Sequence, residues 1–273
     1  DAMRLQPVIG QHIDLRRFEK VALLQTELHW EQPDANRTSL AQALSALEPT
    51  DLVVLPEMFN TGFSMRSEDL AETMEGASVT WLQELAHRFS TVFCGSAIIE
   101  EEGQYFNRLL WVNPEGKVAH YDKRHLFRMA NEHEHYTPGQ SRLEVELSDG
   151  RCCPLVCYDL RFPVFSRNGT HPYDVLIYVA NWPAARAHHW SALLAARAIE
   201  NQCYVIGVNR IGDDGNQVHY NGDSMVLDYE GQSLLHAGQQ SGLHYATLDI
   251  DALRAYRDRF PAWRDQDGFV LDE

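Results

Sequence analysis

Short, unbroken apolar runs separated by helix-length amphipathic segments constrain this chain most. Leu52–Leu55, Val175–Ala180 and Val205–Val208 carry no charged residue. A strand apolar on both sides of its pleat must be covered on both faces. The covering elements are present. Leu40, Leu44 and Leu47 recur at i, i+4 and i+7 in a helix that Asp34 caps and Pro49 closes. Val79, Leu82, Leu85 and Phe89 mark a second amphipathic helix, and residues 187–200 form an Ala-rich third. Val21–Gln25 reads as a further buried strand and Asp51–Leu55 as the next. Thr91–Ile99 and Tyr105–Asn113 read as a hairpin joined at Glu102-Gly103, and a turn at Asn113–Gly116 leads into Lys117–Tyr121. Arg142–Leu147 then turns at Asp149-Gly150 into Cys152–Cys157. The remaining pattern is a strand at Cys203–Val208, short strands at Ser224–Asp228 and His244–Asp249, and a final helix from Asp251.

Strand–helix units mixed with hairpins imply a mixed sheet with helices packed outside. The expected class is α/β. Two such sheets face to face, a four-layer αββα sandwich with two mixed β-sheets, suit a chain of this length. No repeat, low-complexity tract or linker divides it. Residues 18–273 read as a single domain, and residues 1–17 as a leader or remnant ahead of it.

Charge narrows the partners. There are 39 acidic residues against 23 basic ones, a net charge of −16. That argues against nucleic acid or an anionic membrane, which need a basic footprint. No apolar run approaches the ~18 residues of a membrane span, and the charged N-terminal stretch has no apolar segment of a secretory signal. Five cysteines, an odd number, sit mostly in strand-like runs. They suit a reduced, cytoplasmic setting better than a disulfide framework. The sequons at Asn36 and Asn168 are then chance matches.

Three segments share one grammar, an apolar strand followed at once by a reactive residue. They are Leu52-Val53-Val54-Leu55-Pro56-Glu57, Ala119-His120-Tyr121-Asp122-Lys123 and Pro154-Leu155-Val156-Cys157-Tyr158-Asp159. Ligands bind at the carboxyl ends of strands in open α/β sheets. Taken singly, a glutamate after a strand is usually solvated, a lysine beside Asp and Arg is usually surface charge, and a cysteine after Leu-Val is usually core. Together they supply a thiol nucleophile, a carboxylate to take its proton and a cation to favour the thiolate and hold an oxyanion. Those are the parts of acyl transfer through a thioester.

The three segments resemble the Glu-Lys-Cys signature of the nitrilase superfamily of carbon–nitrogen hydrolases. Leu55-Pro56-Glu57-Met58-Phe59 matches the glutamate motif, Tyr121-Asp122-Lys123-Arg124-His125-Leu126-Phe127 the lysine motif, and Cys157-Tyr158-Asp159-Leu160-Arg161-Phe162-Pro163 the cysteine motif. Glu200-Asn201-Gln202-Cys203-Tyr204-Val205 agrees as well, and the resemblance runs from about residue 20 to the C-terminus. It implies the nitrilase-like sandwich, Glu57 as general base, Cys157 as nucleophile, and Lys123 with the Tyr158 backbone N–H as oxyanion donors. It implies no metal and no organic cofactor. An auxiliary glutamate lies between the lysine and the cysteine in that family. Spacing to Pro138-Gly139 favours Glu132 for that slot, with Glu134 the alternative.

The cysteine motif together with Asn181-Trp182-Pro183 resembles the omega-amidase branch, which hydrolyses the terminal amide of 2-oxo dicarboxylic monoamides such as 2-oxoglutaramate and 2-oxosuccinamate. Such substrates carry a carboxylate, so a second cation is expected. Arg161 and Arg186 are the candidates, against an ion pair for Arg161 and helix-start surface charge for Arg186. Asn181 and Trp182 follow a strand directly and read as pocket wall, although core or interface suits Trp182 equally. Other branches remain open: a deaminated-glutathione amidase, an N-carbamoyl amino acid hydrolase or a nitrilase. A metal-dependent hydrolase is the rival from another class. His133, His135, His188 and His189 with Glu132 and Glu134 offer ligands, but their spacing matches no zinc motif. A third class, a binding protein without turnover, fits poorly with an intact Glu57, Lys123 and Cys157. The family resemblance also implies a homodimer, with Phe260, Trp263 and Phe269 as interface or as a tail packed on its own domain.

Overall fold

The computed structural model describes residues 18–169 and 172–271. The expected leader at 1–17 lies outside the described residues. In chain order the first half gives β1 (Phe18–Gln25), α1 (Pro33–Leu44), β2 (Leu52–Val54), α2 (Ser67–Leu70), α3 (Ala77–Phe89), β3 (Val92–Glu101), β4 (Gln104–Val112), β5 (Val118–Asp122) and α4 (Glu132–His135). The second half gives β6 (Val145–Leu147), β7 (Gly150–Val156), α5 (Pro163–Ser166), β8 (Val175–Ala180), α6 (Ala187–Asn201) and β9 (Tyr204–Asn209). It continues with β10 (Ile211–Asp213), β11 (His219–Asn221), β12 (Met225–Leu227), β13 (Ser233–His236), β14 (Gly242–Asp249) and α7 (Ile250–Arg259).

Two six-stranded sheets result, in the orders β14-β1-β2-β3-β4-β5 and β13-β12-β9-β8-β7-β6. Each has a parallel centre, β1-β2-β3 or β7-β8-β9, and antiparallel flanks. Period-two alternation explains the layering. Val21, Leu23, Leu52 and Val54 join the core shared with the second sheet. Their neighbours Ala22, Leu24, Val53 and Leu55 pack instead with Leu40 and Leu44 of α1 and Val79 and Leu82 of α3. Trp190, Leu194 and Ala198 line the buried side of α6, against the other sheet. Helices therefore cover two face-to-face mixed sheets, the αββα arrangement expected for this chain.

The structure corrects some local expectations. Asp34 is not the cap of α1. Pro33 takes the first helical position, where its missing N–H costs nothing, Gln32 precedes it, and the Asp34 carboxylate pairs with Arg37. The strand expected at Arg142–Leu147 shortens to β6. The Arg142 side chain turns away to the carbonyls of Arg167 at 2.7 Å and Phe165 at 3.2 Å. All five cysteines are free and buried. Both sequon asparagines are buried too, and Asn36 donates to the carbonyls of His29 and Asn60, so neither is open to glycosylation. No described helix is long and apolar enough to cross a membrane. Phe260 and Phe269 are 57% and 50% exposed, while Trp263 is half-buried beside Gln202.

Candidate active site

Strand direction assembles the site. β2, β3 and β5 run the same way, so Glu57 just beyond β2 and Lys123 just beyond β5 emerge at one end of the first sheet. β7 and β8 are parallel and deliver Cys157 and Asn181 from the second sheet. The Pro138-Gly139 turn secures the lysine strand. The Gly139 N–H donates to the Lys123 carbonyl at 3.0 Å, and a Cβ on Gly139 would sit 2.0 Å from the Asp122 oxygen.

The side chains meet in a buried cluster. Lys123 Nζ donates to Glu57 Oε1 at 2.9 Å and to Glu132 Oε1 and Oε2 at 3.1 and 3.0 Å. Asn107 Nδ2 donates to the same Glu57 Oε1 at 2.8 Å and Glu132 Oε1 at 3.2 Å. The other Glu57 oxygen accepts the Asn181 N–H at 2.9 Å, and Glu132 Oε2 accepts the Phe127 N–H at 2.6 Å. Glu57, Glu132 and Lys123 are buried. Buried charges survive only when paired and fully hydrogen-bonded, and here they are. Burial works against the ammonium, but Glu132 and Glu57 outweigh it and hold Lys123 protonated well above the ordinary lysine range. Burial, then the Glu57 carboxylate, push Glu132 up against the pull of Lys123. Glu134, the alternative auxiliary glutamate, lies outside the cluster with its side chain 62% exposed.

Cys157 begins a 3-10 turn, Cys157–Arg161, with its backbone at φ 43°, in the left-handed region that costs a non-glycine residue strain. Its Sγ lies 3.7 Å from the Asn181 carbonyl oxygen. Burial and the nearby Glu57 carboxylate push the thiol well above its usual range, with Lys123 opposing. Asp159 holds the elbow. It is fully buried and accepts from the Val156 N–H at 3.0 Å, the Tyr121 hydroxyl at 2.8 Å and the His125 N–H at 3.1 Å, and it meets the His125 ring nitrogen Nδ1 at 2.8 Å. One carboxylate thereby ties the cysteine turn to the lysine segment across the two sheets.

A cavity of about 480 Å³ opens onto Cys157 and Lys123. Tyr158, Arg161, Asn181, Trp182 and Arg186 all line it. The Trp182 indole donates to the Arg186 carbonyl at 2.8 Å, and the Trp182 N–H to Asn209 Oδ1 at 2.8 Å. The Arg161 guanidinium lies 4.8 Å from the Trp182 ring and 3.0 Å from His189 Nδ1, and the Arg186 guanidinium lies 5.5 Å from the Phe127 ring. Each guanidinium therefore lies over an aromatic face at the cavity wall. Among the described residues no group of three His, Cys, Asp or Glu side chains is placed to hold a metal ion.

Sequence reasoning missed three contributors. Asn107 sits in the middle of an apolar strand pattern. Asp159 stood inside a motif without a role of its own. The hairpin β10–β11 brings Val218 and Tyr220 to the cavity wall, with the Tyr220 hydroxyl on Asp214 at 2.9 Å. The turn residues Asp214-Gly215 were the available signal for that hairpin.

Comparison with known proteins identifies the family. The model of the carbon-nitrogen hydrolase family matches residues 20–258. An omega-amidase from Yersinia enterocolitica is 48% identical over 92% of this chain and 98% of its own. A 2-oxoglutaramate amidase from Bacillus subtilis is 32% identical over 79% of this chain and 84% of its own. A carbon–nitrogen hydrolase superfamily protein from Xanthomonas campestris, solved with an arsenic adduct in its active site, superposes with a TM-score of 0.91 at 45% identity, covering 94% of this chain and all of that one. With a family model over most of its length and relatives at 45–48% identity, the chain belongs to the carbon–nitrogen hydrolase family.

Proposed function

We propose that this hydrolase is an omega-amidase, which cleaves the terminal amide of 2-oxo dicarboxylic acid monoamides, 2-oxoglutaramate and 2-oxosuccinamate, to the 2-oxo acid and ammonia. The observation that carries the reading is the buried Glu57–Lys123–Glu132 cluster beside a strained Cys157, at the edge of a cavity that also presents Arg161 and Arg186. Glu57 takes the thiol proton as sulfur attacks the amide carbon. Lys123 and the Tyr158 N–H hold the oxyanion, an arrangement worth about 2.7–4 kcal/mol per donor in the transition state. Collapse breaks the C–N bond, and Glu57 passes its proton to the departing nitrogen, which leaves as ammonia. Glu57 then deprotonates water, which attacks the thioester, and the released thiolate regains the proton. Glu132 orients Lys123. Arg161, in the same turn as the nucleophile, reads the substrate carboxylate, with Arg186 in support. Asn181 and Trp182 shape the wall. No metal or organic cofactor enters the scheme.

The partner is a small amide. Five reduced, buried thiols suit a cytoplasmic enzyme, and exposed Val164, Ile199 and Phe260 suit a homodimer in which each subunit, residues 18–273, is one domain. The test is ammonia release from 2-oxoglutaramate beside succinamate, deaminated glutathione, a carbamoyl amino acid and a nitrile. Highest kcat/KM on the oxo-amide is expected. Preference for any other member of the panel overturns the substrate assignment and keeps the thiol chemistry.

A further inference from the structure

Lys123 faces a conflict. Its three N–H groups point to Glu57 Oε1 and to both oxygens of Glu132, at 2.9 to 3.1 Å. An ammonium has only three donors. To hold an oxyanion it must withdraw one of them from a carboxylate that is buried with nowhere else to turn. Asn107 resolves the conflict. Its Nδ2 donates to Glu57 Oε1 and Glu132 Oε1, two of the oxygens that Lys123 holds. Its own carbonyl accepts the Lys123 backbone N–H at 3.0 Å, so the residue fixes the lysine main chain as well. Ionised carboxylates only accept hydrogen bonds, which sets the amide with its NH2 toward them. The opposite atom, Oδ1, is then buried without a protein partner. An orphaned buried acceptor costs stability, and a leucine here would carry none. The fold keeps an amide at a place where, among the described residues, its side-chain bonds go to the two glutamates.

Resting on the proposed roles of Glu57 and Lys123, we infer that Asn107 is a positioning residue. It holds Glu57 and Glu132 in place while Lys123 turns an N–H to the reacting oxygen. Asn107 does not line the cavity, so it acts through the glutamates and not on the substrate. The titratable groups that interact with Glu57 are Lys123, Glu132, Cys157 and Tyr136.

The test is steady-state kinetics of Asn107→Leu and Asn107→Asp across pH. Loss of two hydrogen bonds to charged acceptors should lower kcat about 10- to 100-fold. KM should stay within about threefold, because the cavity wall is untouched. The acid limb of the kcat/KM profile should move to higher pH, since a base with one donor fewer is harder to keep ionised. Asn107→Asp keeps the side-chain shape and adds a third carboxyl, so its limb moves further in the same direction. A purely structural role would lower the yield of folded protein and leave that limb where it was. Either folded variant with kcat within twofold of the parent and an unmoved limb overturns the inference. Where Cys157→Ala abolishes turnover in the same assay and the Asn107 variants behave like the parent, this inference alone fails. Turnover that survives Cys157→Ala sinks the underlying chemistry.

Discussion

Replacing Asp159 with asparagine probes the joint between nucleophile and lysine. The carboxylate receives the Val156 N–H and Tyr121 hydroxyl on one oxygen, and the His125 N–H and ring nitrogen on the other. Asparagine must present an NH2 group to one of these pairs. A tyrosine hydroxyl can turn to accept, and a histidine ring can change tautomer, but a backbone N–H can only donate. In either orientation one buried backbone N–H, that of Val156 or of His125, faces another donor. An unsatisfied buried donor costs about 1–3 kcal/mol, and the remaining bonds lose their charge assistance, so about 2–4 kcal/mol of stability should go. The same change loosens the turn that holds Cys157 at φ 43°. Misplacement of a reacting atom by about 1 Å costs on the order of 100-fold, so kcat should fall at least tenfold. Urea unfolding at pH 7.5 and steady-state ammonia release check both effects. A stability loss under about 1 kcal/mol with kcat within twofold of the parent would refute the claim that Asp159 braces the elbow.

Three further outcomes follow from the same geometry. Glu132→Gln should cut kcat by about 100-fold, in line with loss of transition-state electrostatics; Glu134→Gln, with its side chain 62% exposed, should stay within twofold, and the reverse order in steady-state assays would reassign the auxiliary role. Arg161→Met should raise KM for 2-oxoglutaramate by about 10- to 100-fold, the worth of hydrogen bonds to a charged group, and leave an uncharged amide unaffected; equal effects on both substrates would remove Arg161 from carboxylate reading. Glu19 is buried, which lifts its carboxyl from 4.5 to about 7 against the Asp149 N–H, with Asp51 adding to the rise. The folded state thus binds this proton more tightly than the unfolded chain, and stability from this residue is lost as pH rises through that window, by at most about 3 kcal/mol. Glu19→Gln should therefore gain stability over the parent at pH 8 and lose that advantage near pH 4, and a urea-unfolding difference independent of pH would contradict it.

What the sequence disclosed and what it hid have physical reasons. The catalytic candidates were legible because each ends an apolar run, and parallel strands bring their carboxyl ends to one place. Covered sheets were legible from runs apolar on both pleat faces, while the pairing of two sheets rested on chain length and the family resemblance. Asn107 was not, because its partners lie 50 and 25 residues away and nothing local marks a strand asparagine as a donor to them. Asp159 was hidden for the same reason. Three of its four bonds reach Tyr121 and His125, on a segment more than thirty residues earlier. The β10–β11 hairpin carries few apolar residues, so periodicity does not announce it. Spacing favoured Glu132 over Glu134, and the short helix α4 turns Glu132 inward to Lys123 and leaves Glu134 toward solvent.

The most direct measurement of the central claim is ammonia release from 2-oxoglutaramate by the parent enzyme and by Cys157→Ala, with the fold of both verified by circular dichroism. The account predicts rapid release by the parent and none above the uncatalysed rate by the variant. Release that persists in a folded Cys157→Ala enzyme would contradict it.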